Sequence, residues 1–499
     1  MGRGRGGLRT GARHRPIPPY RIELDTTSES KMRTENPYLE IDQNMLGDIH
    51  TSSEPMENLT ILCDDFGSRF GGTVGERQAA DFFRDKFKEY GLRKSRKESY
   101  RYASWSRGTT TLEIVTPVRK EIPCIALPYC PSETLEADLV SVGDGMPADF
   151  EAAGRKLKGK IVMATSASAR GHRFVHRSEK YARSALAGAS GFIFMNHYDG
   201  LGPATGSIAD NREALVPGIS VSKEDGSFLQ RLMERRGKVT LKLKTRNRTA
   251  EKTSWNVVAE LPGNEHPDQW VMAGCHYDGH DISQGANDPV SGMVCVQEAA
   301  RVLKKYAADK LGCGIRFVAF GTEEIGLIGA KNYVKQHTDQ LDQIRLYINM
   351  DSAGGGGRKG IVMHRRPELD ETFLVAKMQM KYDMPYGQGM SAFSDHFPFF
   401  EAGVPTCGMG DVEEVFSGRG YGHTAHDTLD KIKLADLREA SSVLSRLLLR
   451  ISCAETWLAK RWTTSKADRM MKKDASLEIV KVEADLAKLY RRKSRTRKK

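Results

Sequence analysis

Hydrophobic positions in the first hundred residues recur at helical spacing. MENLTILCDDFG (56–67) and ERQAADFFRDKFKEYGL (76–92) each set apolar side chains three and four apart, and Gly91 offers the second a stop. The period then shortens. TTTLEIVTP, EIPCIAL, DLVSVG, KIVMAT, GFIFMN and VTLKLK are short, β-branched runs bounded by Gly, Pro or Asp, and they predict strands. A helix over SEKYARSALAGA interrupts them, so residues 108–249 read as a β-rich unit. From WNVVAELPG onward, strand, loop and helix alternate. The strands are QWVMAGCHYD, IRFVAFG, LYINMDSA, GIVMH and VPTCGM. The helices are SGMVCVQEAARVLKKYA, IGAKNYVKQH, ELDETFLVAKMQMKYD and LADLREASSVLSRLLLRISCAETWLAK. This alternation predicts an α/β fold: a mixed, mostly parallel central sheet with helices on both faces and active loops at the strand ends. From about residue 460 the chain reads as a polar helix with a basic end.

Composition refines this picture at the termini. The formal charge of +12 is not spread evenly. Residues 1–33 hold eight Lys/Arg against three acids, and residues 460–499 hold fifteen against five, which leaves −3 for the body. Such a body is no nucleic-acid reader, and the basic tails are expected to touch polyanions only weakly. The leader, 1–45, has no apolar run behind its arginines and reads as a disordered extension rather than a secretory signal. No stretch approaches the ~20 apolar residues of a membrane span. With eight scattered cysteines and no CxxC pair, the expectation is free thiols in a reducing, cytoplasmic setting.

The chemistry concentrates at three strand ends and two loops. VMAGCHYDGHDISQGANDPVSG (271–292) carries His276, Asp278 and Asp288. His276 and Asp278 are two apart at the end of a strand, so they leave on one side. That favours His276 as a metal ligand with Asp278 orienting it from behind. Asp288 sits in a Gly-flanked loop before a helix, where each carboxylate oxygen can reach a different ion. Glu323 and Glu324 follow IRFVAFG, a strand too apolar for the surface, so two acids at its end need a cation. One of the pair can ligate while the other moves a proton. Asp351 repeats the pattern after LYINM, and His423 offers a second imidazole in YGHTAHDTLDKI.

HYD, GANDPVSG, TEEIGLIG, NMDSAG, FSDHFPFFEAGVP and HTAHDT together resemble, in order, the motifs of the co-catalytic di-zinc exopeptidases of clan MH, over residues ~250 to 450. FGSRFGGTVGERQAADFF and the segment from Trp105 to Gly108 are similar to the plasma glutamate carboxypeptidase branch. GKIVMA, ARSALAGASGFIFMN and VPGISVSKEDG resemble a protease-associated (PA) domain. The resemblance implies a discontinuous zinc-peptidase domain, 46–107 and 250–459, a PA-like insert over 108–249 and a basic tail over 460–499. It implies two zinc ions: His276 and Asp351 on one, Glu324 and His423 on the other, Asp288 bridging, Glu323 as general base and Asp278 supporting. The spacing H-T-x-x-D-T selects His423 over His426 and makes Asp427 a supporting partner. Pro289 stands where the family has Asn or Asp after a cis bond, so the Asp288–Pro289 bond is expected to be cis.

The implied reaction is hydrolysis of a terminal peptide bond, with aminopeptidase activity first and a carboxypeptidase or dipeptidase as the alternative. A carboxypeptidase needs a cation for the terminal carboxylate, and Arg365, Arg366 and Arg419 are the candidates. A non-catalytic receptor-like relative and a glutaminyl cyclase-like relative are disfavoured by the complete ligand set. The partner is a peptide substrate. The insert either limits substrate length or mediates homodimer contacts.

Overall fold

In the computed structural model, residues 35–411 and 421–496 are described. One eight-stranded sheet runs in the order Arg93–Ser106, Arg248–Leu261, Cys313–Phe320, His266–His276, Ile344–Asn349, Thr406–Asp411, Lys359–His364, Tyr386–Gly389. Its three central neighbours are parallel to one another, Thr406–Asp411 continues the parallel run beside Ile344–Asn349, and antiparallel pairs flank these four. Every residue of Cys313–Phe320 and Ile344–Asn349 is buried. A strand covered on both faces must be mostly apolar, and the charged exceptions here are paired: Arg316 with Glu260 at 2.9 Å, and Arg345 with the Ala454 carbonyl at 2.9 Å. Alternation still sorts the two faces. Val271, Ala273 and Cys275 join the core built with helices Gly292–Tyr306 and Leu434–Ser452. Met272, Val318 and Phe320 join the core built with Tyr333 and Phe399 on the other side.

The second sheet, in the order Lys120–Ile122, Thr110–Thr116, Thr240–Thr245, Thr134–Ser141, Ile161–Thr165, Gly191–Met195, Gly218–Val221, Ile125–Ala126, forms the insert. The chain leaves and re-enters the main sheet through one antiparallel pair whose register runs from Arg96↔Val258 to Ser106↔Arg248. The outgoing strand, Arg93–Ser106, is absent from the sequence reading. It is an edge strand with one open face, and its charged residues (RKSRKESYRY) hide the alternation while guarding the edge. Helix Lys223–Arg236, also unassigned from sequence, packs Leu229 and Leu232 into the insert's core.

Two terminal segments correct the sequence reading. The leader ends before residue 45, because helix Leu39–Thr51 buries Met45 and Ile49 in the main core. Its Asp42 accepts from Arg450 at 2.7 Å. The C-terminal stretch is a pair of helices, Thr464–Lys473 and Glu478–Thr496, with apolar faces that are used. Met471 and Leu477 pack with Phe397 and Phe400 of the main domain. Val482 and Leu486 pack into the insert. Glu478 is held by Arg173 at 2.7 Å and Arg183 at 2.6 Å, both from the insert. The C-terminal segment therefore straps the insert to the main domain. Among the described residues no helix is long and apolar enough to cross a membrane.

Candidate metal centre

The three parallel strands at the sheet centre end at one place. His276 is the last residue of its strand, Glu323 and Glu324 lie just beyond Phe320, and Asp351 lies two residues beyond Asn349. Asp288 arrives on a widened turn, Ala286–Ser291, ahead of helix Gly292–Tyr306. Gly292 makes that approach possible: a Cβ there would lie 1.8 Å from the Met350 carbonyl oxygen, so only glycine lets the helix start against the strand end that carries Asp351. The Asp288–Pro289 bond is cis. His423 takes a left-handed backbone, φ +59°, costly for a non-glycine residue and common where a side chain must be aimed. Its carbonyl accepts from the Thr205 N–H of the insert at 2.7 Å.

These side chains form two donor groups, His276–Asp288–Asp351 and His280–Glu324–His423. In the first, His276 Nε2 lies 3.2 Å from Asp351 Oδ1 and 3.5 Å from Asp288 Oδ1. In the second, His280 Nε2 lies 2.7 Å from Glu324 Oε2, and His423 Nε2 lies 3.9 Å from the same oxygen. Asp288 faces both groups, for its other oxygen, Oδ2, is 3.2 Å from His423 Nε2. Two bonds of ~2.0–2.1 Å to one tetrahedral ion would set their donors about 3.3–3.4 Å apart, so the 3.2 and 3.5 Å spacings of the first group and the 3.2 Å from Asp288 to His423 fit zinc, whereas His280 and Glu324 stand at hydrogen-bond distance. Imidazole with carboxylate is also a donor set that zinc accepts. Glu323 stands beside the first group, with Oε2 3.9 Å from His276 Nε2.

Electrostatics point the same way. Burial pushes the Glu323 carboxyl well above the usual range, and Asp351 and Asp395 add to it despite His276. Burial raises Glu324 as well, helped by Asp288 and Glu323. Burial acts to lower His276, yet Glu323 and Asp351 hold it well above its ordinary value. Carboxylates crowded this closely in a buried wall call for cations.

The supporting residues differ in part from expectation. His276 Nδ1–H donates to the main-chain carbonyl of Asp278 at 3.0 Å, whereas the Asp278 carboxylate is 3.7 Å from that nitrogen. The carboxylate instead accepts from the backbone N–H groups of Glu323 at 2.9 Å and Glu324 at 3.3 Å. Asp278 thus orients the glutamate pair directly and the histidine through its backbone. Asp427 accepts from the N–H groups of Asn287 at 2.9 Å and Asp288 at 3.1 Å, tying down the turn that carries Asp288. His426, by contrast, is exposed.

Three further residues come to the site without a sequence signal strong enough to mark them. His280 completes the second donor group. Asp395, from FSDHFPFF, is fully buried, and neither carboxylate oxygen has a hydrogen-bond partner in the structure. Arg177 reaches in from the insert against Gly206, where a Cβ would collide with the guanidinium at 1.8 Å. Arg177, Glu323, Glu324 and the donor carboxylates line one cavity of about 330 Å³, closed on another side by Leu486 and Tyr490 of the C-terminal helix. Of the arginines singled out from sequence, Arg366 is spent on the Lys460 and Gly403 carbonyls and Arg365 on Asp474. Arg419 lies outside the described residues.

Residues 256–448 match the model of peptidase family M28, and residues 134–229 match the PA domain. Aminopeptidase YwaD of Bacillus subtilis (strain 168) is 33% identical over 326 residues, which span 62% of this chain and 66% of YwaD. This chain belongs to peptidase family M28. Carboxypeptidase Q of Xenopus laevis is 25% identical over 75% of this chain and 80% of its own length. The solved structure of BSAP, a zinc aminopeptidase from Bacillus subtilis, superposes with a TM-score of 0.62 at 24% identity, covering 82% of this chain and 97% of that one. As an M28 member with a PA domain set into it, the chain is a hydrolase of peptide bonds, in agreement with the resemblance seen in its motifs. His280 and Arg177 add to what those motifs implied.

Proposed function

We propose that this enzyme removes terminal residues from peptides as a two-zinc aminopeptidase. His276 and Asp351 would hold one ion, Glu324 and His423 the other, and Asp288 both. The observation that carries the reading is the placement of Asp288, with one oxygen toward each donor group. When bound, zinc supplies Lewis-acid activation of water and of the scissile carbonyl. The remaining work belongs to the chain. Glu323, on the cavity wall and held by the Asp278 carboxylate through its backbone N–H, takes a proton from the attacking water and returns one to the leaving amine. Acidic groups on the same cavity wall, Glu401 and Glu483, suit a free amino terminus, while Asp210 beside them is paired with Lys331 at 2.6 Å. The names of YwaD and BSAP agree with this order of preference.

A carboxypeptidase or dipeptidase is the second reading, and Arg177 favours it. Its guanidinium lines the cavity beside the donor carboxylates, where it can meet a terminal carboxylate.

Glu323→Gln should lower turnover by about 10²–10⁴-fold while zinc content stays at two per chain. An unchanged rate would remove Glu323 from the reaction. Peptides with free and blocked amino termini separate the two activities: release only from free amines supports the aminopeptidase, and release from blocked peptides supports the second reading.

A further inference from the structure

His280 belongs to the loop after strand His266–His276, and its ring is 2% exposed. Nε2 points at the Glu324 carboxylate, 2.7 Å away, and lies 3.1 Å from His423 Nδ1. Two imidazoles and a carboxylate thus converge with all donor atoms within 4.8 Å of one another. The loop is not free to carry the ring elsewhere. Its next residue, Asp281, is paired with Arg107 at 2.6 Å, and the ring sits 4.6 Å from that of His423 and 6.4 Å from that of Phe70. A ligand held in this way by its surroundings is preorganised for an ion.

We propose that His280 is a ligand of the second zinc ion, an inference that rests on the two-ion reading above. The donor count then becomes unequal. The second ion would be held by His280, Glu324, His423 and one oxygen of Asp288, four protein donors, as in closed sites. The first would have His276, Asp351 and the other oxygen of Asp288, three protein donors with a position left open, as in sites that admit water or substrate. The second ion is accordingly the tighter and slower to exchange, and substrate entry belongs to the first. Without the ligand role, His280 would be a hydrogen-bond donor to Glu324 and the two sites would be alike in donor number.

Two substitutions separate these roles. His280→Gln keeps an N–H able to donate to Glu324 but offers zinc a poor ligand, while His280→Ala keeps neither. Metal-free protein is titrated with zinc against a chelator of known affinity, with the thermal stability of each metal-free variant as a check on folding. The expected result is two ions in the wild type, and at least a tenfold loss of affinity for one of them in both variants, with the other unchanged. Wild-type affinity for both ions in His280→Gln would overturn the proposal and leave His280 a hydrogen-bond partner. Fewer than two ions in the wild type would overturn the two-ion reading itself. X-ray absorption at the zinc edge of the unmodified protein gives a count that needs no variant: three imidazoles shared by two ions support the proposal, and two overturn it.

Discussion

At the scale of single residues, the wall behind the site carries a titration of its own. Glu76 follows Thr73, whose side chain accepts from its N–H at 3.2 Å and caps helix Val74–Glu89. The Glu76 carboxylate accepts from the Gly72 N–H at 2.5 Å and from the Ser254 hydroxyl. Burial nevertheless raises it from 4.5 to about 8, with the charge of Asp278 adding to the effect. Between pH ~4.5 and ~8 the folded chain holds a proton that the unfolded chain has released, so this group's contribution to stability falls as pH rises through that window. Glu76→Gln should therefore stabilise the protein at pH 8, on the order of a few kcal/mol, and the gain should vanish near pH 4.5. Denaturant midpoints of both proteins at pH 5 and pH 8 test this, and parallel pH slopes would mean that Glu76 is ionised in the fold. No sequence pattern announces this group, because burial depends on what packs over the helix start.

At the scale of elements, the turn Ala286–Ser291 depends on a residue 139 positions away. Asp427→Ala leaves the N–H groups of Asn287 and Asp288 unpaired in a buried place. That should cost ~1–3 kcal/mol and lower zinc affinity by about 10–100-fold, whereas Asp427→Asn, which keeps an acceptor oxygen, should lose less. Denaturant unfolding together with metal titration separates the stability loss from the affinity loss. The motif H-T-x-x-D-T placed Asp427 near the ligands, but that it holds a turn rather than a ring is a tertiary fact. The central strands were readable because they are apolar runs bounded by loop residues, and helices Gly292–Tyr306 and Leu434–Ser452 because they are long and periodic. Arg93–Ser106 was not, since an edge strand needs only one apolar face and carries charges on the other.

At the scale of the molecule, the C-terminal helix Glu478–Thr496 turns a sheet with an insert into a covered cleft. Its apolar residues wall the cavity, and Glu478 anchors it to Arg173 and Arg183 of the insert. Glu478→Lys places like charges at this contact. With ~1–2 kcal/mol of docking lost from half-exposed pairs, the open population should rise roughly tenfold. Hydrogen exchange across residues 478–490 should quicken, and cleavage of a ten-residue peptide should gain on that of a tripeptide. An unchanged ratio would show that this helix does not set substrate length. The sequence by itself determined the candidate site residues and their order, since His276, Asp288, Glu323, Glu324, Asp351 and His423 sit where apolar strands end or a glycine-flanked loop or turn begins. Local periodicity carries that information. Only the tertiary structure decided that His280 joins Glu324 and His423, that Arg177 crosses from the insert, and that a basic tail closes the cleft. Those partners are brought together by loop paths and packing between distant segments, which no local pattern encodes.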